Sequence, residues 1–232
     1  MKWAMKNNQR SKASPKDRAK CPVCKEKVIA KCGEIKRWHW AHKKNIDCDS
    51  WYEPETLWHL NWKDEFNQEQ QEIIIKKGRT IHRADIKTNE KITELQYSSI
   101  SSSDIKEREN FYGDMVWLLN GLKFAKNMIL RKKDNYFTFR WKYPPKSWWE
   151  ATKPIFIDLD PKADYYMKEI IREHKSKYSD KSAYEKIKLK RLRKSFEMNE
   201  GKILEIKKIY KQTPCGGWGK IISKDEFIER FR

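Results

Sequence analysis

Residues 82–101 read HRADIKTNEKITELQYSSIS. Asp85 and Glu94 each stand in a run whose apolar and β-branched content reads as a strand, and TNEK (88–91) between them is rich in turn formers. A strand carrying Asp85 paired with one carrying Glu94 would set the two carboxylates across from one another. Glu94 and Gln96 stand two apart and share a strand face, with Leu95 turned to the opposite layer. Two hard carboxylate oxygens at one sheet edge suit Mg²⁺ or Mn²⁺. Such an ion can hold a scissile phosphate and activate a water for in-line attack. The competing reading is a hairpin with two solvent-facing acids and a polar outer-face glutamine.

Working outward, EPETLWHLNWKDEFNQEQQE (53–72) predicts a helix, with Pro54 in its first turn and Leu57, Leu60 and Asp64 on one face. Glu55, His59 and Lys63 follow at four-residue steps, so one helix face carries an acid, an imidazole and an amine. That face can complete an acidic site over the sheet edge, or it can be a solvated ion-paired surface. EIIIKKG (72–78) precedes the two acid-bearing strands as a third. SSSDIKERENFYGDMVWLLNG (101–121) predicts a serine-capped helix with Tyr112, Val116 and Leu119 buried, ending at Asn120-Gly121. FAKNMILRKK, NYFTFRWKY and KPIFIDLD read as further strands. The charged stretch from Met167 to Lys211 reads as one or two helices with Leu189, Leu192 and Phe196 on the apolar face. Interleaved strands and helices predict an α/β protein with a mixed sheet.

The chain has 232 residues and a formal charge of +19, with 52 Lys and Arg against 33 Asp and Glu. A surplus of that size points to a polyanionic partner, most simply nucleic acid, against the alternative of a basic proteome. No apolar run approaches a membrane span and the basic N-terminus lacks an apolar signal core, so a cytoplasmic location without membrane association is expected. Hydrophobic residues make up 38%, including 11 Trp, enough to build a core.

CPVCKEKVIAKCGEIKRWHWAHKKNIDC (21–48) holds Cys21-x2-Cys24, His39-x2-His42 and Cys48. A Cys pair two apart wraps one tetrahedral ion, and a later pair completes a structural zinc site. Cys21, Cys24 and His42 are the first three candidates, and His39 and Cys48 compete for the fourth place. An extended backbone puts His39 and His42 on opposite faces and favours Cys48, whereas a turn at Ala41 favours His39. A redox Cys-x-x-Cys is the alternative; Pro22 inside the motif and the basic strand-like sequence after it speak against one. Cys32 and Cys215 read as ordinary thiols.

CPVCKEKVIAKCGEIKRWHWAHK (21–43), EPETLWHLNWK (53–63), HRADI (82–86) and TELQYSSIS (93–101), in this order, resemble the competence protein CoiA family. RWKYPPKSWWEATKPIFIDL (140–159) and GGWGKIISKDEFIERF (216–231) are similar to its later segments, so the resemblance spans roughly residues 20–232. It implies a PD-(D/E)XK nuclease-like protein with the restriction-endonuclease fold, a three-layer α/β/α core with a mixed sheet, behind a small zinc-binding lobe. Asp85 and Glu94 would then be Mg or Mn ligands and Glu55 a helix-borne acid of the same site. Gln96 would stand where the superfamily more often has Lys. Gln can orient a water or a phosphate oxygen but brings no positive charge, so charge stabilisation falls to the metal or to Lys63 or Arg83.

The implied activity is metal-dependent DNA cleavage linked to DNA uptake and recombination, or to a phage or defence process. The alternative is a catalytically silent nuclease fold that binds DNA as an accessory factor. Single- or double-stranded DNA, and a recombination or host/phage protein, are the expected partners. Lys63, Arg83, His59, Ser98 and Ser101 are DNA-contact candidates, the serines because helix N-termini receive phosphates. Trp148 and Trp149 can stack on bases or pack in the core. The expected organisation is a basic flexible arm (1–20), a zinc module (21–50), a nuclease-like core (51–145) and a basic α-rich region (146–232) with a strand near 153–160.

Overall fold

A computed structural model of the chain describes residues 1–33, 38–43, 48–51, 53, 55–89, 91–121, 128–159, 201–212 and 214–232. The fold is mixed α/β with few helices. It forms two compact units, Met1–Glu94 together with Arg232, and Leu95–Phe231. The division falls inside one strand, Ile92–Gln96. Among the described residues one sheet has five strands and a larger, mixed sheet has nine.

In the first unit, strands β1 (Ala4–Lys6), β2 (Gln9–Ser11), β3 (Arg18–Lys20), β4 (Lys27–Lys31) and β5 (His39–His42) form the smaller sheet in the order β2-β1-β3-β4-β5, with antiparallel pairs throughout. Residues 1–20 are thus sheet and not a flexible arm. The β1–β2 hairpin turns on Asn7 and Asn8, both left-handed at φ 50° and 62°, a conformation asparagine tolerates and tight hairpins require. Met1, Ala4, Ala13 and Ala19 are buried with Cys21, Val28 and Trp40 in one small apolar cluster. Lys2 anchors the start of the chain, its ammonium on Asp64 at 2.5 Å and Gln71 at 2.7 Å.

Helix α1 (Leu57–Asp64) is shorter than the periodicity predicted. Thr56 caps it, Pro54 lies outside the described residues, and a short 3-10 turn at Gln68–Gln70 leads into strand β6 (Gln71–Lys77). Strands β7 (Thr80–Lys87) and β8 (Ile92–Gln96) follow as a meander of antiparallel pairs. The Ile86–Thr93 and Lys87–Ile92 pairs fix the register, and continuing it places Asp85 opposite Glu94. All five residues of β8 are buried.

In the second unit, helix α2 (Ser102–Tyr112) stops at Gly113, whose φ of 79° ends it well before the predicted end at Asn120-Gly121. Met115–Asn120 is strand β9, buried throughout, so Val116 and Leu119 lie on a strand and not on a helix face. A continuous apolar run buried on both faces outweighs the helical spacing that residues 112, 116 and 119 share. Strands β10 (Met128–Lys132), β11 (Phe137–Trp141), β12 (Ile155–Asp158), β13 (Lys202–Tyr210) and β14 (Cys215–Ser223) follow, then helix α3 (Lys224–Phe231). They run in the order β10-β11-β14-β13-β12-β9, with the β12–β9 pair parallel. Phe156, Phe227 and Phe231 pack edge-on or tilted in its core. Lys202–Tyr210, predicted helical, is strand: its inward residues Ile203 and Leu204 are fully buried beside β12 and β14. The rest of the predicted C-terminal helix, with Leu189, Leu192 and Phe196, lies outside the described residues.

Candidate metal centre and acidic cluster

The Cys21–Cys24 segment forms a knuckle. Lys25 takes a left-handed φ of 63° and donates its N–H to the Cys21 carbonyl at 3.0 Å, while the Cys21 N–H reaches the Glu26 carbonyl at 2.8 Å. The chain then runs out along β4, and β5 returns against it with His42 opposite Val28. Because β5 is extended, His39 and His42 face oppositely, and Cys48 takes the fourth place. Cys21, Cys24, His42 and Cys48 bring one ligand atom each to within 4.8 Å of the others, and among the described residues this is the group that gathers three or more such atoms.

Cys24 Sγ lies 3.2 Å from His42 Nε2, and Cys21 Sγ lies 3.9 Å from Cys48 Sγ. The second distance matches the roughly 3.8 Å edge of a tetrahedron with Zn–S bonds of about 2.3 Å. Burial raises the Cys24 thiol, and burial with the neighbouring Cys21 and Cys24 thiols pushes Cys48 up to about 12. Burial, together with the terminal amine and Arg83, holds His42 below its ordinary value and so favours neutral imidazole, the ligand form. Cys24 and Cys48 resisting ionisation, with Cys21 and a neutral imidazole beside them, form a set that a cation relieves, and it can hold a metal such as zinc.

The acidic cluster is built around an amine. Lys63, buried on the last turn of α1, places Nζ 2.6 Å from Glu55, 3.1 Å from Glu72 and 3.0 Å from Asp85. Burial opposes its charge, but Asp85, Glu55 and Glu72 together hold its pKa well above the usual lysine value. Glu55 was expected on the helix but precedes its Thr56 cap, and from there it still reaches Lys63 on the last turn. Asp85 is the partly open acid of the cluster, 22% exposed, and its N–H donates to Glu94 Oε1 at 3.2 Å. Arg83 shares the Asp85 face of β7. Burial works against its charge, and Glu72, Glu55, Asp85 and Asp49 more than restore it.

Two acids in this network were not anticipated. Glu72 accepts the Lys2 N–H at 2.9 Å and the Trp3 N–H at 3.1 Å, as well as the Lys63 ammonium. Burial would raise its pKa, but Lys63, Arg83, the terminal amine and the Lys2 N–H hold it well below the ordinary range. Its φ of 49° is left-handed, a strained geometry for a glutamate. Asp49, one residue past the Cys48 ligand, accepts from His82 Nδ1 at 2.9 Å and from the Arg83 N–H at 3.1 Å, tying the metal-centre loop to β7. The only sequence signal for Asp49 was its place beside Cys48.

The remaining candidates sit elsewhere. His59 is buried and caps α1: its Nδ1 accepts the Thr56 N–H at 3.2 Å while Thr56 Oγ1 accepts the His59 N–H at 3.4 Å. The ring is 3% exposed and spent on the cap. Ser101 caps α2 through the Asp104 N–H at 3.0 Å and donates to the Asp104 carboxylate at 2.7 Å. That acid in the first turn opposes a phosphate there. Ser98 is exposed and its carbonyl accepts from Gln96 Nε2 at 3.1 Å. His39 lies on β5, outside the Cys/His group.

Residues 4–50 match the family model described as Competence protein CoiA, N-terminal domain. This supports the competence protein CoiA family. No curated protein and no solved structure matches the chain. The region matching the CoiA N-terminal domain is the whole five-stranded sheet with all four Cys/His residues, so the matched stretch and the candidate metal centre coincide. Among the described residues no helix is long and apolar enough to cross a membrane.

Proposed function

We propose that the protein is a metal-dependent DNA nuclease of the PD-(D/E)XK type, with its N-terminal CoiA-like sheet held by structural zinc. The observation that carries the reading is the Lys63 ammonium 3.0 Å from Asp85, on the acid that faces Glu94 across β7 and β8. Gln96 brings no charge, and Lys63 supplies one from the helix. With its pKa raised, Lys63 stays protonated, so its role is to stabilise phosphate charge and not to take a proton from water.

Asp85 and Glu94 fit a hard divalent cation as two facing carboxylates. Glu55 gives one oxygen to Lys63 at 2.6 Å, while the other lies 3.5 Å from the Met1 amine and makes no hydrogen bond among the described residues, so it stands as a third acid beside the pair. Asp85 and Glu94 would therefore hold Mg²⁺ or Mn²⁺, which when bound supplies an activated water and a Lewis acid at the phosphate. Arg83, two residues from Asp85 on the same strand face, positions the backbone of a polyanion whose approach the +19 charge favours.

The test is a cleavage panel over single-stranded, duplex and branched DNA with Mg²⁺ and Mn²⁺, run beside Asp85→Ala and Glu94→Ala. Divalent-dependent cleavage lost in both variants is expected; cleavage unchanged in both sinks the site. A second reading is favoured by the same ammonium, because Lys63 is already engaged by three carboxylates. On that reading the fold binds DNA without cutting it, and no ion in the panel elicits cleavage while salt-dependent binding persists.

A further inference from the structure

The second unit contains a cavity of about 440 Å³ between the segment from Trp148 to Ile155 and strand β13. This lies within the roughly 300–1,000 Å³ range of ligand sites. Lys153, Lys207, Lys208 and Lys211 line it, with Glu205 as the lone lining acid. Lys207 is paired with Glu205, and Lys211 lies 3.5 Å from Glu150. Among the described residues no carboxylate pairs with Lys153 or Lys208, so the cavity keeps an uncompensated positive wall.

The wall includes a local irregularity. Glu205 to Ile209 line the cavity as an unbroken run of β13, so its backbone as well as its side chains forms that wall. The β13–β14 register shifts between Ile206 and Lys208, a bulge that re-aims the side chains. Strand β14 accommodates it with glycines. A Cβ on Gly217 would stand 2.1 Å from the Lys208 carbonyl oxygen, and one on Gly219 would stand 2.3 Å from that of Glu205. The CGGWG run (215–219) therefore permits the bulge in the stretch of β13 that borders the cavity.

The two adjacent tryptophans divide. Trp148 is buried and meets Trp117 edge-on at 5.1 Å, a core contact. Trp149 is half-buried and lines the cavity, with Lys146 Nζ 5.8 Å from its ring centre. Its indole Nε1 is buried with no hydrogen-bond partner among the described residues.

We propose that this cavity binds single-stranded DNA, with an unpaired base against Trp149 and flanking phosphates against Lys153 and Lys208. An aromatic face beside unpaired lysines matches the chemistry of a nucleotide unit, and a half-open cavity of this size admits a splayed base but is too small for a stacked duplex. For the identity of the polyanion the inference rests on the DNA reading above; its residues are separate from the acidic cluster.

The test is anisotropy of a labelled oligothymidylate over a salt series. Trp149→Ala is expected to weaken binding by about 5- to 150-fold, with Trp149→Phe retaining most of it. Lys153→Ala and Lys208→Ala should each lower the slope of log affinity against log salt by about 0.7. Trp149→Ala and both lysine variants binding like the parent would overturn the proposal, as would absence of binding by the parent at low salt. The same samples are assayed for Mg²⁺-dependent cleavage. Cleavage that depends on Asp85 with binding indifferent to Trp149 refutes the cavity alone. Binding that depends on Trp149 with no cleavage by any sample refutes the nuclease reading and leaves the cavity standing.

Discussion

Lys63 Nζ stands 3.0 Å from Asp85 Oδ1, joining the last turn of α1 to the residue whose N–H donates to Glu94 Oε1 at 3.2 Å. The same nitrogen reaches Glu55 and Glu72, so one buried cation gathers three acids drawn from a loop and two strands. The attraction is strong because water is excluded, and for the same reason the set cannot lose its cation cheaply.

Lys63→Met is therefore expected to cost about 3–5 kcal/mol, the usual penalty for removing one partner of a buried ionic group. Urea unfolding of the variant measures it. A midpoint within error of the parent would mean that the three carboxylates find other compensation and that Lys63 does not organise the cluster.

Glu72 gives the cluster a pH signature. Its folded pKa is held well below the unfolded value near 4.5, so its contribution to stability is complete above that value. It fades as pH falls through the acid range toward the depressed folded pKa. Glu72→Gln should thus be less stable than the parent at neutral pH by about 1–3 kcal/mol, and the gap should close on acidification. Denaturant titrations of both proteins from neutral to acid pH read the difference directly; a gap that widened with acid would reverse the assignment. Lys63 acts in the other direction. Its stabilisation is full below the ordinary lysine pKa and is lost only as pH climbs through the raised one.

How much of this was legible depended on whether the determinant was local. The facing of Asp85 and Glu94 follows from a two-residue period and a polar turn, both readable in twenty residues. The choice of Cys48 over His39 followed from one local question, whether 39–42 is extended, and the sequence left it open. Glu72 was not readable: its carboxylate is fixed by N–H groups 70 residues away, and its backbone is left-handed where the pattern suggests a helix end running into a strand. The first twenty residues looked like an arm because strands of three residues carry too little alternation to register. The bulge at Lys207 was hidden for a similar reason, since nothing in KILEIKKIY (202–210) marks which lysine is the extra residue.

Gly217 tests that bulge. An alanine there would meet the Lys208 carbonyl at 2.1 Å and the Phe139 ring at 2.4 Å, contacts that strand β13 and the Phe139 ring must yield to relieve. Gly217→Ala should lower stability by about 1–3 kcal/mol or more, as overpacking of a tight site does. Gly33→Ala, whose added methyl meets nothing within 4 Å, serves as the control. Thermal unfolding of the two variants should separate them clearly; equal melting temperatures would show that β13 and β14 can part without cost.

The metal centre makes the most discriminating prediction. If Cys21, Cys24, His42 and Cys48 hold zinc, purified protein should carry about one equivalent, closed by four protein ligands. Cys48→Ser should reduce retention at least tenfold under a competing chelator, because a hydroxyl replaces a thiolate at one vertex. His39→Ala should leave it unchanged, since His39 lies on the other face of β5. Chelation should also lower the melting temperature of the parent, because the five-stranded sheet has only a small apolar cluster of its own around Trp40. Loss of metal on substituting His39, with retention on substituting Cys48, would exchange the fourth ligand and require β5 to turn at Ala41.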